Sequence, residues 1–512
     1  MFEKVLFLVI FFAIMVTVGI YSRKHATNVN DFVLGGRSVG PWLTAFAFGT
    51  SYFSSVVFVG YAGQFGWKYG MAATWIGLGN AFIGSLLPWV VLGRRTRVMT
   101  NSLQAATMPE FFEKRYNSKA LKLVASAIVF IFLVPYTASI YNGLSNLFGM
   151  AFDIDYRICV IGMALLTGVY VILGGYMATA INDFIQGIIM LIGICAVIYC
   201  VLAKEGGFIA ALTELATNPT MTGAAYDSDV PGVYASFFGP DPVNLVGVVI
   251  LTSLGTWGLP QMVQKFYAIK DEKSIKTGTV ISTVFALIVA GGSYFLGGFA
   301  RMFNDSSFVK ADGSVAFDGI IPFVLSTLPD ILIGVVVVLV LSASMSTLSS
   351  LVLTSSSTLT LDFLKGTIVK DMSEKKQLFI MRVLIAFFII ISVILALDPP
   401  TFIAQLMGIS WGALAGAFLA PFMYGLYWKG VTKSAVWASF AVGVGITVGN
   451  LFFHFFASPI NAGAAAMIAS LVVVPIVSLM TPKMKKEKVD EIFSCYDEKI
   501  EVKKKTSLGH NA

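Results

Sequence analysis

The sequence GTSYFSS, residues Gly49–Ser55, interrupts an apolar run that extends over 41–67 and is long enough to cross a membrane. A second run, 244–263, carries a similar interruption, TSLGTWGLP, over Thr252–Pro260. Lipid offers no hydrogen-bond partner to an exposed backbone, so a helix can break at membrane depth only where protein surrounds the break. The two stretches therefore predict a pair of discontinuous helices inside a helical bundle, although Gly, Ser and Thr in either run alone also permit close helix packing.

The composition of the whole chain is that of a membrane protein. Of its 512 residues, 57% are hydrophobic and 12% are charged, whereas a soluble domain carries about 25% charged residues. This composition excludes a soluble protein and predicts an all-α polytopic membrane protein. Apolar runs of about 20 residues predict about thirteen transmembrane helices, at approximately 3–22, 41–67, 72–93, 122–148, 157–175, 181–203, 244–263, 277–301, 327–361, 377–397, 401–427, 433–457 and 461–480.

The basic residues are distributed unevenly between the predicted loops. With the N-terminus outside, the predicted cytoplasmic segments and tail hold 29 of the 35 lysines and arginines. Because positive charge concentrates on the cytoplasmic side of membrane proteins, we expect a multi-pass protein of the cell (inner) membrane with a cytoplasmic C-terminus. Topology then explains the net charge of +7, and no nucleic-acid partner is expected. The basic tail also suits contact with anionic membrane lipids.

Hydroxyl side chains are concentrated in the ninth predicted span, from Ser342 onwards. On a helix, Ala343, Ser346 and Thr347 share one face, so that a carbonyl and two hydroxyls can converge there. Small hard cations prefer oxygen ligands, and neutral oxygens hold a monovalent ion weakly enough to release it. A monovalent cation site is one hypothesis. Hydroxyls that bond back to the carbonyls of the preceding helical turn are the other.

Asp183 stands at the predicted cytoplasmic start of the sixth span. Acidic residues at membrane depth are costly and often belong to ion pathways, but a carboxylate at a helix start can equally cap the N–H groups of the first turn. Asp183 is therefore a candidate for ion release, with a helix cap as the alternative. The three histidines, His25, His454 and His510, fall in loops or the tail, so we expect no enzyme and no catalytic residues.

Three motifs resemble the sodium/solute symporter family, which includes sodium/proline, sodium/pantothenate and sodium/glucose transporters. The motifs are DFVLGGR at Asp31–Arg37, LGG at Leu173–Gly175 followed by Asn182–Asp183, and SMSTL at Ser344–Leu348. The resemblance extends from about Asp31 to Lys433. It implies a secondary active transporter that couples inward sodium movement to the uptake of a small polar organic solute by alternating access.

The fold implied by the resemblance is leucine-transporter-like, with a core of two inverted five-helix repeats in which helices 2 and 7 are discontinuous. For this chain it implies a peripheral first helix and cytoplasmic loop at 1–40, repeats at 41–203 and 244–427, an extracytoplasmic loop at 204–243, peripheral spans at 428–480 and a basic cytoplasmic tail at 481–512. The implied coupling ion is sodium.

The resemblance also implies two adjacent sites. Carried over residue by residue, the sodium site uses the carbonyls of Thr50, Phe53 and Ala343 with the hydroxyls of Ser346 and Thr347. The substrate site beside it comprises Tyr52, Ser54, Ser55, Tyr136, Thr252, Thr256, Trp257, Ser410 and Trp411. The aromatic members of this set equally suit helix packing or contact with lipid.

The chain departs from the sodium/proline pattern in the substrate region. Sodium/proline members carry an aspartate where this chain has Tyr52, and a Trp and a Tyr where it has Thr252 and Thr256. Tyr52 and Gly258–Pro260 look more like the pantothenate branch, and Tyr176 departs from the residue that usually follows the Gly-Gly signature. The solute stays open between an amino acid such as proline, a carboxylate and a vitamin such as pantothenate. Stoichiometry, oligomeric state and lithium in place of sodium also stay open, and a proton-coupled symporter or a channel of the same fold is the alternative.

Overall fold

The computed structural model of the protein describes residues 2–22, 28–217, 228, 230–303, 308, 313–365, 368–369 and 372–497. Several predicted segments extend beyond these residues, among them the predicted first cytoplasmic loop, in which 23–27 with His25 are not described. The middle of the predicted extracytoplasmic loop, 218–227, and the end of the predicted basic tail, 498–512, lie outside the described part of the chain.

Twenty-one α-helices make up most of the described chain, which contains two isolated β-bridges and no longer strand. The first eleven are α1 (Phe2–Ser22), α2 (Val29–Leu34), α3 (Pro41–Tyr52), α4 (Ala62–Tyr69), α5 (Thr74–Ala81), α6 (Leu87–Val91), α7 (Gly93–Ser102), α8 (Met108–Tyr116), α9 (Lys119–Phe152), α10 (Tyr156–Lys204) and α11 (Phe208–Thr217). The other ten are α12 (Pro242–Gly258), α13 (Pro260–Ala268), α14 (Glu272–Gly298), α15 (Phe317–Ser326), α16 (Asp330–Thr358), α17 (Glu374–Leu397), α18 (Ile403–Tyr427), α19 (Lys433–Phe453), α20 (Pro459–Met480) and α21 (Lys486–Phe493).

Within the described residues, ten helical segments are long and apolar enough to cross a membrane, or up to eleven if the bent pair α12 and α13 counts as one span. The predicted count of thirteen is not confirmed by this measure. The predicted second span is divided by a break after Tyr52, and the helix beyond the break continues through the predicted third span as Val56–Val91. The predicted fifth span contributes a shorter apolar helix, Tyr156–Val169.

The predicted fifth and sixth spans follow each other without a loop, as two helical parts of α10 that meet at a non-helical residue, Gly175. α10 has 49 residues and bends at Gly175, where φ is 59° and ψ is −159°. This positive φ favours glycine, which has no Cβ. A Cβ at Gly175 would also lie 2.8 Å from the ring of Phe32, in the Asp31–Arg37 motif. Two sequence motifs therefore meet at this kink, which replaces the expected loop.

Both predicted helix breaks are present. α3 ends at Tyr52, and after two non-helical residues the chain continues into a π-helical turn, Val56–Tyr61. α12 ends at Gly258 and α13 begins at Pro260, with an angle of 45° between the two helices. The fold thus has a discontinuous helix in each of the two predicted places.

The broken helices lie in the centre of the bundle. α3 packs against α10, α14 and α16, while α12 packs against α5, α18 and α20. α16 and α18 are mostly buried, whereas only 22% of the apolar window of α1 and 33% of that of α17 are buried. Exposed apolar helices suit a lipid environment, so α1 and α17 form part of the periphery.

One end of the bundle, which we call the basic end, is defined by Arg37, Arg97 and Arg115. Arg97 and Arg115 are buried and Arg37 is half-buried. Each guanidinium donates hydrogen bonds to backbone carbonyls of distant segments, while Arg97 Nη1 has no partner among the described residues. These carbonyls belong to Ala105 for Arg37, to Ile269 for Arg97, and to Gly425 and Trp428 for Arg115.

The C-terminal helix α21 packs on the basic end. Asp490 forms an ion pair with Lys429 at 2.6 Å. The ring of Phe493 lies 5.0 Å from the guanidinium of Arg115. The last described helix is therefore attached to α8 and to the segment that follows α18.

Candidate ion and solute sites

The break after Tyr52 frees backbone carbonyls in the last turn of α3. The carbonyl oxygen of Thr50 accepts hydrogen bonds from two side chains of α16, Ser346 Oγ at 3.0 Å and Thr347 Oγ1 at 3.1 Å. The same two hydroxyls lie 3.0 Å and 3.1 Å from the carbonyl oxygen of Ala343. Four oxygens from two helices therefore converge, and we call this group the oxygen cluster.

The chemistry of the oxygen cluster suits a small cation. Two hydroxyls supply two protons, while the four oxygens together offer more lone pairs than those protons can engage. All four groups are neutral and buried. A hard monovalent ion can therefore bind to the oxygens without having to overcome the attraction of a fixed negative charge when it leaves.

Phe53, the fifth predicted sodium residue, lies beside the oxygen cluster. With Ser54 and Ala343 it lines a cavity of about 10 Å³, which is close to the smallest space that holds one water molecule. The cavity admits a water molecule or a small ion and is too small for an organic solute. The other lining residues are Val57, Phe58, Met190, Ile194, Val289, Ser293 and Leu339.

Three of the predicted substrate residues form an aromatic cluster of Tyr52, Tyr136 and Trp411. The Trp411 ring centroid lies 5.9 Å from those of Tyr52 and Tyr136. The Tyr136 hydroxyl approaches Trp411 and Ser54 but forms no hydrogen bond of good geometry. The Trp411 indole N–H and the Ser410 hydroxyl also lack a partner among the described residues. Buried donors without partners are expected where a polar ligand or a water molecule binds.

Tyr52 connects the two broken helices. Its hydroxyl donates a hydrogen bond to the carbonyl of Thr252, on α12, at 2.5 Å. Glycines allow this close approach: a Cβ on Gly84 would lie 2.2 Å from the Tyr52 hydroxyl oxygen, and a Cβ on Gly255 would lie 2.4 Å from the Trp411 ring. The aromatic cluster is therefore enclosed by backbone on two sides.

Thr256 and Trp257 bond to a neighbouring helix and not to the aromatic cluster. Thr256 Oγ1 donates to the carbonyl of Gly84 at 2.8 Å, and Trp257 Nε1 donates to the carbonyl of Ile83 at 2.9 Å. Both carbonyls belong to a π-helical turn, Phe82–Leu86. Such turns shift the regular helical hydrogen bonds and are frequent at functional sites.

The nine predicted substrate residues thus fall into two groups. Tyr52, Tyr136 and Trp411 lie together, Thr252 and Ser54 adjoin them, and Ser410 precedes Trp411 on α18. The donors of the other three residues are bound elsewhere. Ser55 donates to the carbonyl of Ile140, and Thr256 and Trp257 to the π-helical turn.

Asp183 lies inside the helical segment Gly175–Lys204, because this segment begins before the position where the sequence predicts a helix start. Its carboxylate is fully buried, and neither oxygen accepts a hydrogen bond from the described residues. A cap must accept hydrogen bonds from backbone N–H groups. The geometry therefore does not support the interpretation of Asp183 as a helix cap, and ion release stays a prediction.

Lys265 lies beside Asp183, and the sequence did not single it out. The sequence places it in a predicted cytoplasmic connection, 264–276, yet its side chain is 3% exposed and lies on α13. Its Nζ lies 4.0 Å from Asp183 Oδ2 and donates to Ser350 Oγ at 3.0 Å. Proline favours the first turn of a helix. Pro260 was therefore the signal in the sequence that a helix begins there and extends through Lys265.

Two relatives and a family profile match most of the chain. The profile of the sodium:solute symporter family matches residues 32–443. The chain is 30% identical to the osmoregulated proline transporter OpuE of Bacillus subtilis (strain 168) over 449 residues. This alignment covers 86% of this chain and 87% of that protein. It is 29% identical to a sodium/proline symporter of Staphylococcus aureus (strain JH9) over 441 residues. This second alignment covers 84% of this chain and 82% of that protein.

Two solved structures share the fold. A Na+-coupled sialic acid symporter in a substrate-bound outward-open state superposes with a TM-score of 0.75 at 18% identity, over 95% of this chain and 99% of that chain. Mhp1, a nucleobase-cation-symport-1 family transporter in a closed conformation, superposes with a TM-score of 0.53 at 13% identity, over 91% of this chain and 98% of that chain. These similarities confirm the predicted leucine-transporter-like fold.

The family and the relatives are transporters, in agreement with the expectation that the chain is not an enzyme. The family profile matches the chain from α2 to α19. The chain therefore belongs to the sodium:solute symporter family.

Proposed function

We propose that the chain takes up a small polar organic solute across the cell membrane, driven by sodium, with the basic end facing the cytoplasm. Membership in the sodium:solute symporter family supports the class of function. The orientation is supported by the distribution of lysine and arginine, which concentrate on the cytoplasmic side of membrane proteins. The two conformational states of alternating access expose the sites to one side of the membrane at a time.

In this proposal sodium binds at the oxygen cluster. Its ligands are the carbonyls of Thr50, Phe53 and Ala343 and the hydroxyls of Ser346 and Thr347. The convergence of both hydroxyls on the Thr50 carbonyl is the observation that carries the proposal. When sodium binds, the hydroxyl protons turn away and the oxygen lone pairs face the ion. Sodium thereby ties the broken helix α3 to α16.

The solute binds at the aromatic cluster, next to the ion. The Tyr52 ring stacks on Phe53 at 4.2 Å, so the ion site and the aromatic cluster share the break in α3. The donors without partners on Tyr136, Ser410 and Trp411 suit a solute with hydrogen-bond acceptors, such as a carboxylate. Proline, the solute named for two relatives, is one member of this class. Tyr52, at the position where sodium/proline members carry an aspartate, favours testing other members as well.

Sodium binding and solute binding are coupled because both sites adjoin the break in α3. Sodium orders the backbone of α3 around Phe53, and this ordering completes the solute pocket beside Tyr52. Sodium and solute must then raise each other's affinity by the same factor, because linkage is reciprocal. On the inward side, sodium leaves the oxygen cluster towards Asp183.

The first test is thermal unfolding of the purified protein with a panel of amino acids, carboxylates and pantothenate, in sodium, lithium and potassium. A ligand at about 100 times its dissociation constant stabilises a protein by about 2.7 kcal/mol. We expect one class of solute to raise the unfolding midpoint in sodium and not in potassium. A stabilisation that is the same in all three cations would contradict sodium coupling.

Uptake into proteoliposomes separates a symporter from a channel. A symporter concentrates the stabilising solute when a sodium gradient is imposed, and its rate saturates with solute concentration. Uptake that neither saturates nor exceeds equilibrium would instead favour a channel. A response to a proton gradient without sodium would favour proton coupling.

A further inference from the structure

Lys265 and Asp183 form a buried charge pair outside the oxygen cluster and the aromatic cluster. Their side chains are 3% and 0% exposed, and Lys265 Nζ lies 4.0 Å from Asp183 Oδ2. Burying a charge is costly unless an opposite charge is close. Within the described residues, no hydrogen bond reaches either oxygen of Asp183. The ammonium ion of Lys265 is therefore what balances this carboxylate.

The Lys265 ammonium lies between the oxygen cluster and the basic end. It donates to Ser350, which is four residues and thus about one helical turn beyond Ser346 on α16. The end of this helical segment reaches the basic end, where Thr107, the residue before α8, donates to Asp362. An ion that moves from the oxygen cluster along α16 towards the basic end consequently meets Lys265.

The position of Lys265 depends on α13 as a whole. Its ammonium donates to Ser350, whose hydroxyl is hydrogen-bonded to Ser51 of α3 at 2.8 Å. The preceding residue, Gln264, donates to the carbonyl of Val33 at 3.2 Å and accepts from Thr354 at 2.9 Å. These contacts hold α13 against α2, α3 and α16. A movement of α13 therefore carries Lys265 away from Asp183.

We propose that Lys265 is the gate of the sodium exit route. Its ammonium ion occupies the cation position beside Asp183 while the basic end is closed, and sodium reaches Asp183 only after α13 has carried Lys265 away. A second cation beside this single buried carboxylate is repelled by the ammonium ion, because charge repulsion is weakly screened in a protein interior. The proposal rests on the proposed function, because it requires sodium to leave the oxygen cluster towards the basic end.

The test measures the movement of radioactive sodium out of proteoliposomes that contain the full chain and no solute. Lys265→Gln removes the charge and keeps a side chain that can bond to Ser350, whereas Lys265→Arg is the matched control that keeps the charge. We expect Lys265→Gln to raise solute-independent sodium efflux about tenfold or more, and Lys265→Arg to stay within about twofold of the native rate, because only the former vacates the cation position.

A leak in Lys265→Gln could come from the loss of a gate or from a general packing defect. The double variant Asp183→Asn with Lys265→Gln distinguishes these two causes. It removes the carboxylate that would attract sodium, so we expect its efflux to fall to the native rate or below it. An equal leak in the double and single variants overturns the proposal, as does native efflux in Lys265→Gln. If Lys265→Gln does not fold, Lys265→Met, which is uncharged and more apolar, takes its place in the same comparison.

The outcome for the gate is distinguishable from that for the proposed function. If the native protein shows neither sodium-dependent stabilisation nor sodium-driven uptake, the symporter proposal fails. If the native protein couples solute to sodium while the uncharged variants do not leak, only the gate is wrong.

Discussion

The two helix breaks resemble each other in sequence, but their surroundings differ. At the first, the carbonyl of Thr50 meets two hydroxyls of α16. At the second, Gly258 lies against the backbone of α18, where a Cβ would come within 2.7 Å of the Leu419 nitrogen. Pro260 then starts α13 at an angle of 45° to α12. The first break supplies oxygens, and the second permits a close helix contact and a change of direction.

This difference teaches that a discontinuous helix can serve ligand chemistry or helix geometry. The change of direction at the second break brings Lys265 to Asp183, whereas the first break exposes the carbonyls of α3. Filling the close helix contact at the second break should therefore impair folding most. Substitutions around the first break should mainly alter ion binding.

The largest effect is expected for Gly258→Ala. The new methyl group would lie 2.7–2.9 Å from three backbone atoms of α18, and overpacking of this kind costs about 1–3 kcal/mol or more. We expect a lower yield of monodisperse protein and a lower midpoint of thermal unfolding. Gly445→Ala in α19 is the control, because a Cβ there has no neighbour within 4 Å. Equal midpoints for the two variants would contradict the geometric role of the second break.

Ser346→Ala and Thr347→Ala should come next. Each removes one hydroxyl from the oxygen cluster, so we expect the sodium concentration for half-maximal solute stabilisation to rise about tenfold, equivalent to about 1.4 kcal/mol. Unfolding without sodium should change little. Ser356→Ala is the control, because this hydroxyl bonds back within α16 to the carbonyl of Leu353. If Ser346→Ala and Thr347→Ala both need the same sodium concentration as the native protein, the assignment of the ion site is wrong.

Tyr52→Phe tests whether the two breaks are connected. It removes the hydrogen bond to the Thr252 carbonyl, and one such bond contributes about 1 kcal/mol to stability. Tyr61→Phe is the matched control, since the Tyr61 hydroxyl makes a longer bond of 3.4 Å to the carbonyl of Ala404. We expect the larger drop in the unfolding midpoint for Tyr52→Phe. A drop no larger than that of the control would mean that this bond does not couple the breaks.

The smallest effect is expected for Pro260→Ala. At the first position of a helix the backbone N–H has no partner within the helix, so proline is not needed for hydrogen bonding. Its removal should lower the free energy of unfolding by about 0.5 kcal/mol, through greater freedom of the unfolded chain. Calorimetry checks this value. A loss as large as that of Gly258→Ala would show that the proline itself maintains the bend.

The breaks and part of the candidate ion site could be predicted because their signals are local. Glycine, proline and hydroxyl residues stand out within an apolar run. Ala343, Ser346 and Thr347 have the spacing of one helix face, and the structure brings them to Thr50. Whether this group binds sodium stays a prediction.

Contacts between distant segments could not be predicted in the same way. A lysine at the end of an apolar run usually extends to the membrane surface, and the burial of Lys265 depends on Asp183 from another helix. Thr256 and Trp257 bond to the π-helical turn Phe82–Leu86, which has no recognisable sequence signal. The kink at Gly175 likewise joins two predicted spans.

The position of Arg115 has a consequence for biosynthesis. Its guanidinium donates to the carbonyl of Gly425, 310 residues later in the chain, and to that of Trp428. A nascent chain that has completed α8 must therefore wait for α18 before this cation finds its partners. Phe493 reaches it later still. Since chains fold from the N-terminus as they are made, the basic end is among the last parts of the protein to be completed.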